Sequence, residues 1–398
     1  MNMLYITLIA VLATLTALAN DCQYYTCGNQ LVPMQNTSIA VQKEVLTVNL
    51  TNNGYTNVEV YYEFRNSGEA TDILMGFEAK PPYFDDNKQQ LAAGPHPDIT
   101  RFAVEMNGEK LPYTCAISQN GLADGITAVD KSKWKWSEEY DKFVSRQNDT
   151  VTLDYAYVYS FKAHFKPGVN IVRHTYTYKE SCGVGHTFWI DYKLTPATRW
   201  ANRQIDDFTL RINAKGISKH FMVDASPFMG SSANMKIDGG KGRARMVNWS
   251  YEDAPTEEYN YYELSLRNAT AEWHATNFRP QSELYISSAD NMIMMAQYGT
   301  KINVSEGGAF AESIYYDGGV NYSPLPLLPR TKSKSLNRRI CRNLPFAARG
   351  YKFKDLKLKK FFESQWWYIA DPAYNPAKDK TLNALDKKMT KGYFNKYL

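Results

Sequence analysis

The most reactive pair of side chains in this sequence is Cys182 and His186, in the stretch Ser181-Cys182-Gly183-Val184-Gly185-His186. A thiol close to an imidazole can serve as nucleophile and base, or the two can ligate one metal. In an extended strand their even spacing would place both on one face. The glycines fit a plain loop equally well, between a strand ending at Tyr178 and one starting at Thr187. Other reactive arrangements are missing. The six histidines are His96, His164, His174, His186, His220 and His274; no two lie four apart and HExxH is absent. No metal site is assigned and no cofactor is expected. No Gly-x-Ser-x-Gly nucleophile turn occurs. Gly239-Gly240-Lys241-Gly242 lacks the spacing of a phosphate loop and reads as a hairpin tip. The sequence therefore leans away from an enzyme without excluding one.

A stronger signal lies near the C-terminus, where Lys352, Lys354, Lys357, Lys359 and Lys360 are interleaved with Tyr351, Phe353, Phe361 and Phe362. Cations among aromatics can hold anionic glycans, lipid headgroups or nucleic acid; they are also what a small domain with a solvated lysine surface would show. The 398 residues carry a net charge of +5, but it is unevenly placed. From Arg330 to Leu398 there are 18 Lys+Arg against 5 Asp+Glu, a net of +13, which leaves −8 for everything before. An acidic body thus carries a basic tail.

The elements that position these groups follow from periodicity. Val58, Val60, Tyr62 and Phe64 alternate with Glu59, Tyr61, Glu63 and Arg65, the period-two signature of a half-buried strand, and Asn66-Ser67-Gly68 ends it. Similar runs recur at 45–50, 73–77, 102–106, 151–165, 171–178, 187–194, 208–212, 221–223, 246–249, 261–266 and 284–286. Short strands separated by Gly, Asn and Pro predict antiparallel β-sandwich architecture over residues 20–316, as one sandwich or as two with a break near 118–148. A polar, helix-like patch spans 131–143. Residues 317–335, with Gly318-Gly319 and Pro324, Pro326 and Pro329, read as a linker. Beyond it the period changes to that of helices. Leu358, Phe361, Phe362 and Trp366 form one stripe with Asp355 as N-cap, and Leu382, Leu385 and Met389 form another. The fold class expected is mainly β with a small α-helical C-terminal domain.

The tail also resembles a known module. Arg342-Asn343-Leu344-Pro345-Phe346-Ala347-Ala348-Arg349-Gly350-Tyr351-Lys352-Phe353 is similar to the signature of the YARHG domain. Phe346 stands at the aromatic position, Ala347 and Gly350 match, and Ala348-Arg349 replaces the Arg-His pair. Leu358, Phe361, Phe362 and Trp366-Trp367-Tyr368 continue the likeness across residues 336–395, within a domain expected over 336–398. Pro345 should start or kink the first helix. The resemblance implies a secreted bacterial protein with no transferable activity. The β body resembles uncharacterised secreted bacterial proteins more loosely, through Asn29–Pro33, Tyr61–Asn66, Met75–Glu78 and Ile190–Leu194.

Export is also expected from the first 19 residues, an apolar run from Leu4 to Leu18 ending in Ala17-Leu18-Ala19. This reads as a signal peptide cleaved near Ala19, and no later segment reads as a membrane span. A secreted or periplasmic place argues against nucleic acid as the partner. It also makes the cysteine count meaningful, but five (Cys22, Cys27, Cys115, Cys182 and Cys341) do not form a disulfide framework in a chain this long. The function expected is therefore binding or scaffolding in the cell envelope. Arg342, Arg349, Lys352 and Lys354 would meet an anionic wall or surface polymer, and Trp366, Trp367 and Tyr368 would supply ring surface. The alternative is a hydrolase of envelope material using Cys182 and His186, and a third possibility is that the acidic body docks the basic tail.

Overall fold

Strict alternation of apolar and polar residues builds most of the body. The computed structural model describes residues 27–29, 32–33, 38–79, 96, 98–119, 128–129, 144–147, 150–153, 155–180, 188–251, 254–288, 331–382, 384–392 and 395. The first strands are β1 (Cys27–Asn29), β2 (Val32–Pro33), β3 (Ile39–Asn49), β4 (Tyr55–Asn66), β5 (Thr71–Ala79), β6 (Ile99–Met106) and β7 (Glu109–Lys110). They are followed by β8 (Thr114–Gln119), β9 (Ala128–Val129), β10 (Val144–Gln147), β11 (Thr150–Leu153), β12 (Tyr155–Phe165), β13 (Gly168–Lys179) and β14 (Trp189–Lys193). The last are β15 (Ile205–Asn213), β16 (Ser218–Asp224), β17 (Asn234–Asp238), β18 (Lys241–Tyr251), β19 (Ala254–Arg267), β20 (Thr270–Phe278) and β21 (Leu284–Ser288).

These strands form three sheets and a two-stranded ribbon, β10-β11. The largest sheet has eight strands in the order β17-β20-β15-β3-β4-β13-β6-β7. A five-stranded sheet, β2-β5-β12-β8-β9, and a six-stranded sheet, β1-β14-β21-β16-β19-β18, complete the body. Pairing between strands is antiparallel except for β1 with β14 and β3 with β15.

The eight-stranded sheet is the common floor. Its inward face meets the five-stranded sheet through Phe77 against Tyr176 and Phe102 against Tyr159. It meets the six-stranded sheet through Trp273 against Tyr262, and Tyr62 against Tyr192. The two smaller sheets also touch each other, with Lys193 Nζ 3.5 Å from Glu78 Oε1. Buried residues from all three sheets form one continuous apolar core among the described residues, with Trp200 and Trp273 fully inside. Ring stacking and edge contacts at these distances add to the area each side chain buries.

The turns carry a correction. Gly239-Gly240 is not the tip of a hairpin: it leads from β17 in the eight-stranded sheet to β18 in the six-stranded one. The connections β15 to β16 and β19 to β20 cross between the same two sheets. Asn268, at φ 47°, ties two of these crossings together. Its side chain accepts from the Gly216 amide at 2.9 Å, and its own amide donates to the Ile217 carbonyl at 2.9 Å. Gly240 has to be glycine, since a Cβ there would lie 2.2 Å from the carbonyl oxygens of Arg267 and Asn268. Glycines report that the chain reverses, but which strand it then pairs with is decided by the core.

The tail forms a separate core around Ile340, Leu344, Phe353, Phe362, Trp367 and Met389. Its helices are α1 (Lys334–Ala348), α2 (Leu356–Glu363) and α3 (Ala384–Thr390). Ser333 caps α1, accepting from the Leu336 amide, so the helix starts inside the stretch read as linker. Asp355 caps α2 as the sequence suggests, accepting from the amides of Lys357 and Leu358 at 3.1 and 3.0 Å. Pro345 lies inside α1 rather than at its start. Helix α1 ends in a Schellman motif. The Gly350 amide donates to the Ala347 carbonyl at 2.8 Å, and the Tyr351 amide to the Phe346 carbonyl at 2.9 Å, with Gly350 at φ +85°. The N-terminal 19 residues, the patch at 131–143, most of the linker and the segment 181–187 lie outside the described residues.

Candidate binding surfaces and the docked basic domain

The outer face of the six-stranded sheet presents His220 from β16, Arg243 and Arg245 from β18, and Glu263, Ser265 and Arg267 from β19. By alternation these read as solvent-facing. They are instead where the tail sits. Ser265 Oγ donates to the Trp367 carbonyl at 2.7 Å, and Arg243 Nη1 to the Trp366 carbonyl at 2.9 Å. Arg245 lies over the Trp366 ring, 4.5 Å from its centroid, and the His220 ring is 5.7 Å away. Glu263 clamps both, with Oε1 2.9 Å from His220 Nε2 and Oε2 2.6 Å from Arg245 Nε. Burial works to raise the Glu263 pKa, but His220 and Arg245 outweigh it and hold the carboxyl below the usual carboxylate range. Arg267 Nη1 donates to the Arg349 carbonyl at 2.7 Å and lies 3.6 Å from Asp371 Oδ2. Burial lowers the Arg267 pKa, and Asp371 works against that shift. The body therefore holds the tail, but through its own arginines on backbone carbonyls, a ring and a carboxylate of the tail, not through acidic residues of the body meeting the tail's cations.

This contact decides where the expected binding residues stand. Trp366 is half-buried against the body, and Trp367 and Tyr368 are buried. The Tyr368 hydroxyl donates to the Tyr351 carbonyl at 2.6 Å, and burial pushes its pKa up to about 12. Tyr374 donates to Asp379 Oδ2 at 2.6 Å. The aromatic cluster is thus core and interface, not an open stacking surface. Arg349 is an internal staple. Its Nη2 is 2.7 Å from Asp386 Oδ2, its Nε is 3.2 Å from Asp379 Oδ2, and its Nη1 donates to the Pro345 carbonyl at 2.9 Å. Arg342, Lys352 and Lys354 are exposed. So are Lys357 and Lys360, and none of these five has a carboxylate within ion-pair distance among the described residues.

A second surface went unnoticed in the sequence. The outer face of the eight-stranded sheet holds a shallow depression of about 570 Å³ lined by residues that include Thr47, Glu59, Tyr61, Arg173, Arg211 and Glu272. Its charges are largely paired across strands. Arg211 Nε is 2.7 Å from Glu272 Oε2, and Lys236 Nζ is 3.1 Å from Glu272 Oε1. Nearby, Asp207 takes Lys43 at 2.8 Å and His274 at 2.9 Å. A row of amides and hydroxyls runs along one edge, with Thr270 Oγ1 donating to Asn213 Oδ1 at 2.6 Å and Asn213 Nδ2 donating to Asn49 Oδ1 at 2.8 Å. The signal was the alternating polar positions of β3, β4, β13, β15 and β20, which reveal a surface only once their register is known.

Cys182 and His186 lie outside the described residues. Cys341 is a free thiol, and burial pushes its pKa up to about 12, so it is inert. His174 is fully buried among Tyr62, Phe77, Phe102 and Tyr176, and burial lowers its pKa to about 3, leaving it neutral. Among the described residues no group of three His, Cys, Asp or Glu could hold a metal ion. No helix among them is long and apolar enough to cross a membrane.

Comparison with known families places residues 330–395 in the YARHG domain. That domain is typical of extracytoplasmic bacterial proteins. Among solved structures, a candidate nutrient binding protein of Legionella pneumophila is similar over 96% of this chain and 100% of its own, with 17% identity and a TM-score of 0.51. That likeness is one of fold. Weaker matches reach an M1 zinc metallopeptidase of Deinococcus radiodurans (10% identity, 78% of this chain and 54% of that one, TM-score 0.25) and baculovirus P35 (11% identity, 65% and 98%, TM-score 0.24). No curated protein matches the sequence.

Proposed function

We propose that this is a non-catalytic binding protein of the bacterial cell envelope, secreted or periplasmic. Its β body fixes the orientation of the YARHG domain, and the domain's outward cations hold an anionic wall or surface polymer. One observation supports this most. Arg342, Lys352, Lys354, Lys357 and Lys360 are exposed without carboxylate partners among the described residues, whereas Arg243, Arg245 and Arg267 of the body are spent on docking. Exposed lysines facing a polyanion bind through long-range attraction, which is screened over about 8 Å at physiological ionic strength. The test is retention of the full chain on envelope fractions as salt is raised. The wild type should be held at low salt and released as ionic strength rises. A Lys352, Lys354, Lys357, Lys360→Gln variant should wash through, and equal retention of that variant would overturn the reading.

The depression on the eight-stranded sheet, together with the description of the Legionella protein, favours a second reading: capture of a small polar solute at Tyr61, Arg173 and Arg211. Calorimetric titration with sugars, amino acids and short peptides tests it. Heat that disappears in Arg211→Ala would support it, and the absence of heat from every class would discard it.

A further inference from the structure

The Arg349-Gly350 turn, where the signature's glycine stands and Arg349 takes the place of its histidine, has a side-chain-sized notch beside it, and its chemistry is specific. A helix C-terminus exposes carbonyl groups without intrahelical partners and carries the negative end of the helix dipole. Here the Arg349 carbonyl, at the C-cap of α1, is turned toward the body. Asp371 stands beside it, tied to the turn by its amide, which donates to the Gly350 carbonyl at 2.7 Å. Tyr368 holds the other side through its bond to the Tyr351 carbonyl. Gly350 forms the floor. A Cβ at this position would lie 2.3 Å from Cζ and Nη2 of Arg267, so the missing side chain is the space the guanidinium fills. Arg267 enters with only 12% of its side chain exposed.

We propose that the Arg349-Gly350 turn with Asp371 is a guanidinium receptor, and that the YARHG domain is a docking module which in this chain takes Arg267 from the edge of a β-sheet. Nη1 alone makes both contacts, to the carbonyl at 2.7 Å and to the carboxylate at 3.6 Å, and the flat guanidinium lies where a Gly350 Cβ would be, a slot that a compact tetrahedral ammonium on a flexible stem fills poorly. The notch is preorganised by the helix cap and does not depend on the lysine face. Its failure and that of the polymer-binding reading are therefore separable: the first changes docking, and the second changes retention on envelope material.

The experiment is chemical rescue in the full chain. Amide hydrogen exchange at residues 349–351 and 366–371 reports docking. In Arg267→Ala, exchange there should rise by about tenfold or more, the factor that loss of a hydrogen bond to a charged group carries. Ethylguanidinium should restore protection in a saturable way, and ethylammonium at equal concentration should not. Wild-type protection in Arg267→Ala, or equal rescue by both cations, would overturn the proposal. Arg267→Lys keeps the charge and the aliphatic stem, so it serves if the alanine variant fails to fold. Its exchange should also rise and fall back with ethylguanidinium, and wild-type exchange there would overturn the proposal as well.

Discussion

The outer faces of the two largest sheets are built from the same residue types and do opposite things with them. On the eight-stranded sheet, Lys43, Arg211 and Lys236 each find a carboxylate on a neighbouring strand, and the face stays open. On the six-stranded sheet, Arg243 and Arg267 reach outward to carbonyls of the tail, and Arg245, paired with Glu263 on the neighbouring strand, turns its guanidinium face to the Trp366 ring. An arginine satisfied within its own sheet offers a partner the flat face of its guanidinium, as Arg245 does to Trp366, but few free donors. One that still has donors to place, on a surface that another domain can desolvate, becomes an anchor. The lesson is that partner choice resides in how charges are distributed between strands, not in how many there are.

The largest effect should come from breaking the tail's own framework. Arg349→Ala removes the guanidinium that bridges the nearly buried carboxylates of Asp386 and Asp379, a loss of about 3–5 kcal/mol. Thermal unfolding followed by tail-specific probes should show the helical domain melting well before the body. Unchanged melting of the tail would show that Asp386 and Asp379 are satisfied without Arg349.

An intermediate effect should separate the two faces by pH. Glu263 and Glu272 both have pKa values pulled below the usual carboxylate range by cations that outweigh burial. For a depressed carboxylate the stabilisation is complete above the unfolded-state value and is lost as pH falls through the lower folded one. Acidification below the ordinary glutamate range should therefore weaken both ion clusters. Only Glu263 holds the residues that grip Trp366, so only its protonation should undock the tail. Glu263→Gln should show raised exchange at residues 366–371 already at neutral pH and little further change in acid, whereas Glu272→Gln should keep the wild-type acid profile there. Identical profiles for the two variants would break the distinction between the faces.

How much of this could be read beforehand depends on the range of the interactions. The strands around Val58–Phe64 and Phe208–Ile212, the Asp355 cap and the Leu358–Phe362 part of the helical stripe were legible because each is set by spacing within one turn or one strand, whereas Trp366, read into the same stripe, lies past the end of α2 at Glu363 and packs on the body. The YARHG assignment was legible from Phe346, Gly350 and the Trp366–Tyr368 run. What was hidden depends on pairing between distant segments. Gly239-Gly240 announces a turn but not that β17 and β18 join different sheets. Trp366 and Tyr368 announce aromatic surface but not that β18 and β19 would cover it. Arg267 looks like any polar residue at a strand end until Gly350, 83 positions later, is brought against it.

The smallest effect gives the sharpest comparison. Arg211 and Arg243 are both exposed arginines on outer faces, and by sequence nothing separates them. Arg211 is half-exposed beside Glu272, which keeps Lys236 as a second cation, so Arg211→Ala should change stability by no more than about 0.5 kcal/mol, as exposed ion pairs do. Arg243→Ala removes a charged donor from the Trp366 carbonyl, and it should cost about 1 kcal/mol of docking. Denaturant unfolding of the body should scarcely register either change, since neither arginine reaches the common core. Exchange at residues 366–368 should rise in Arg243→Ala and stay at the wild-type level in Arg211→Ala. A rise in both would mean that the open face communicates with the docked one through the sandwich, and that the two sheets do not act as independent platforms.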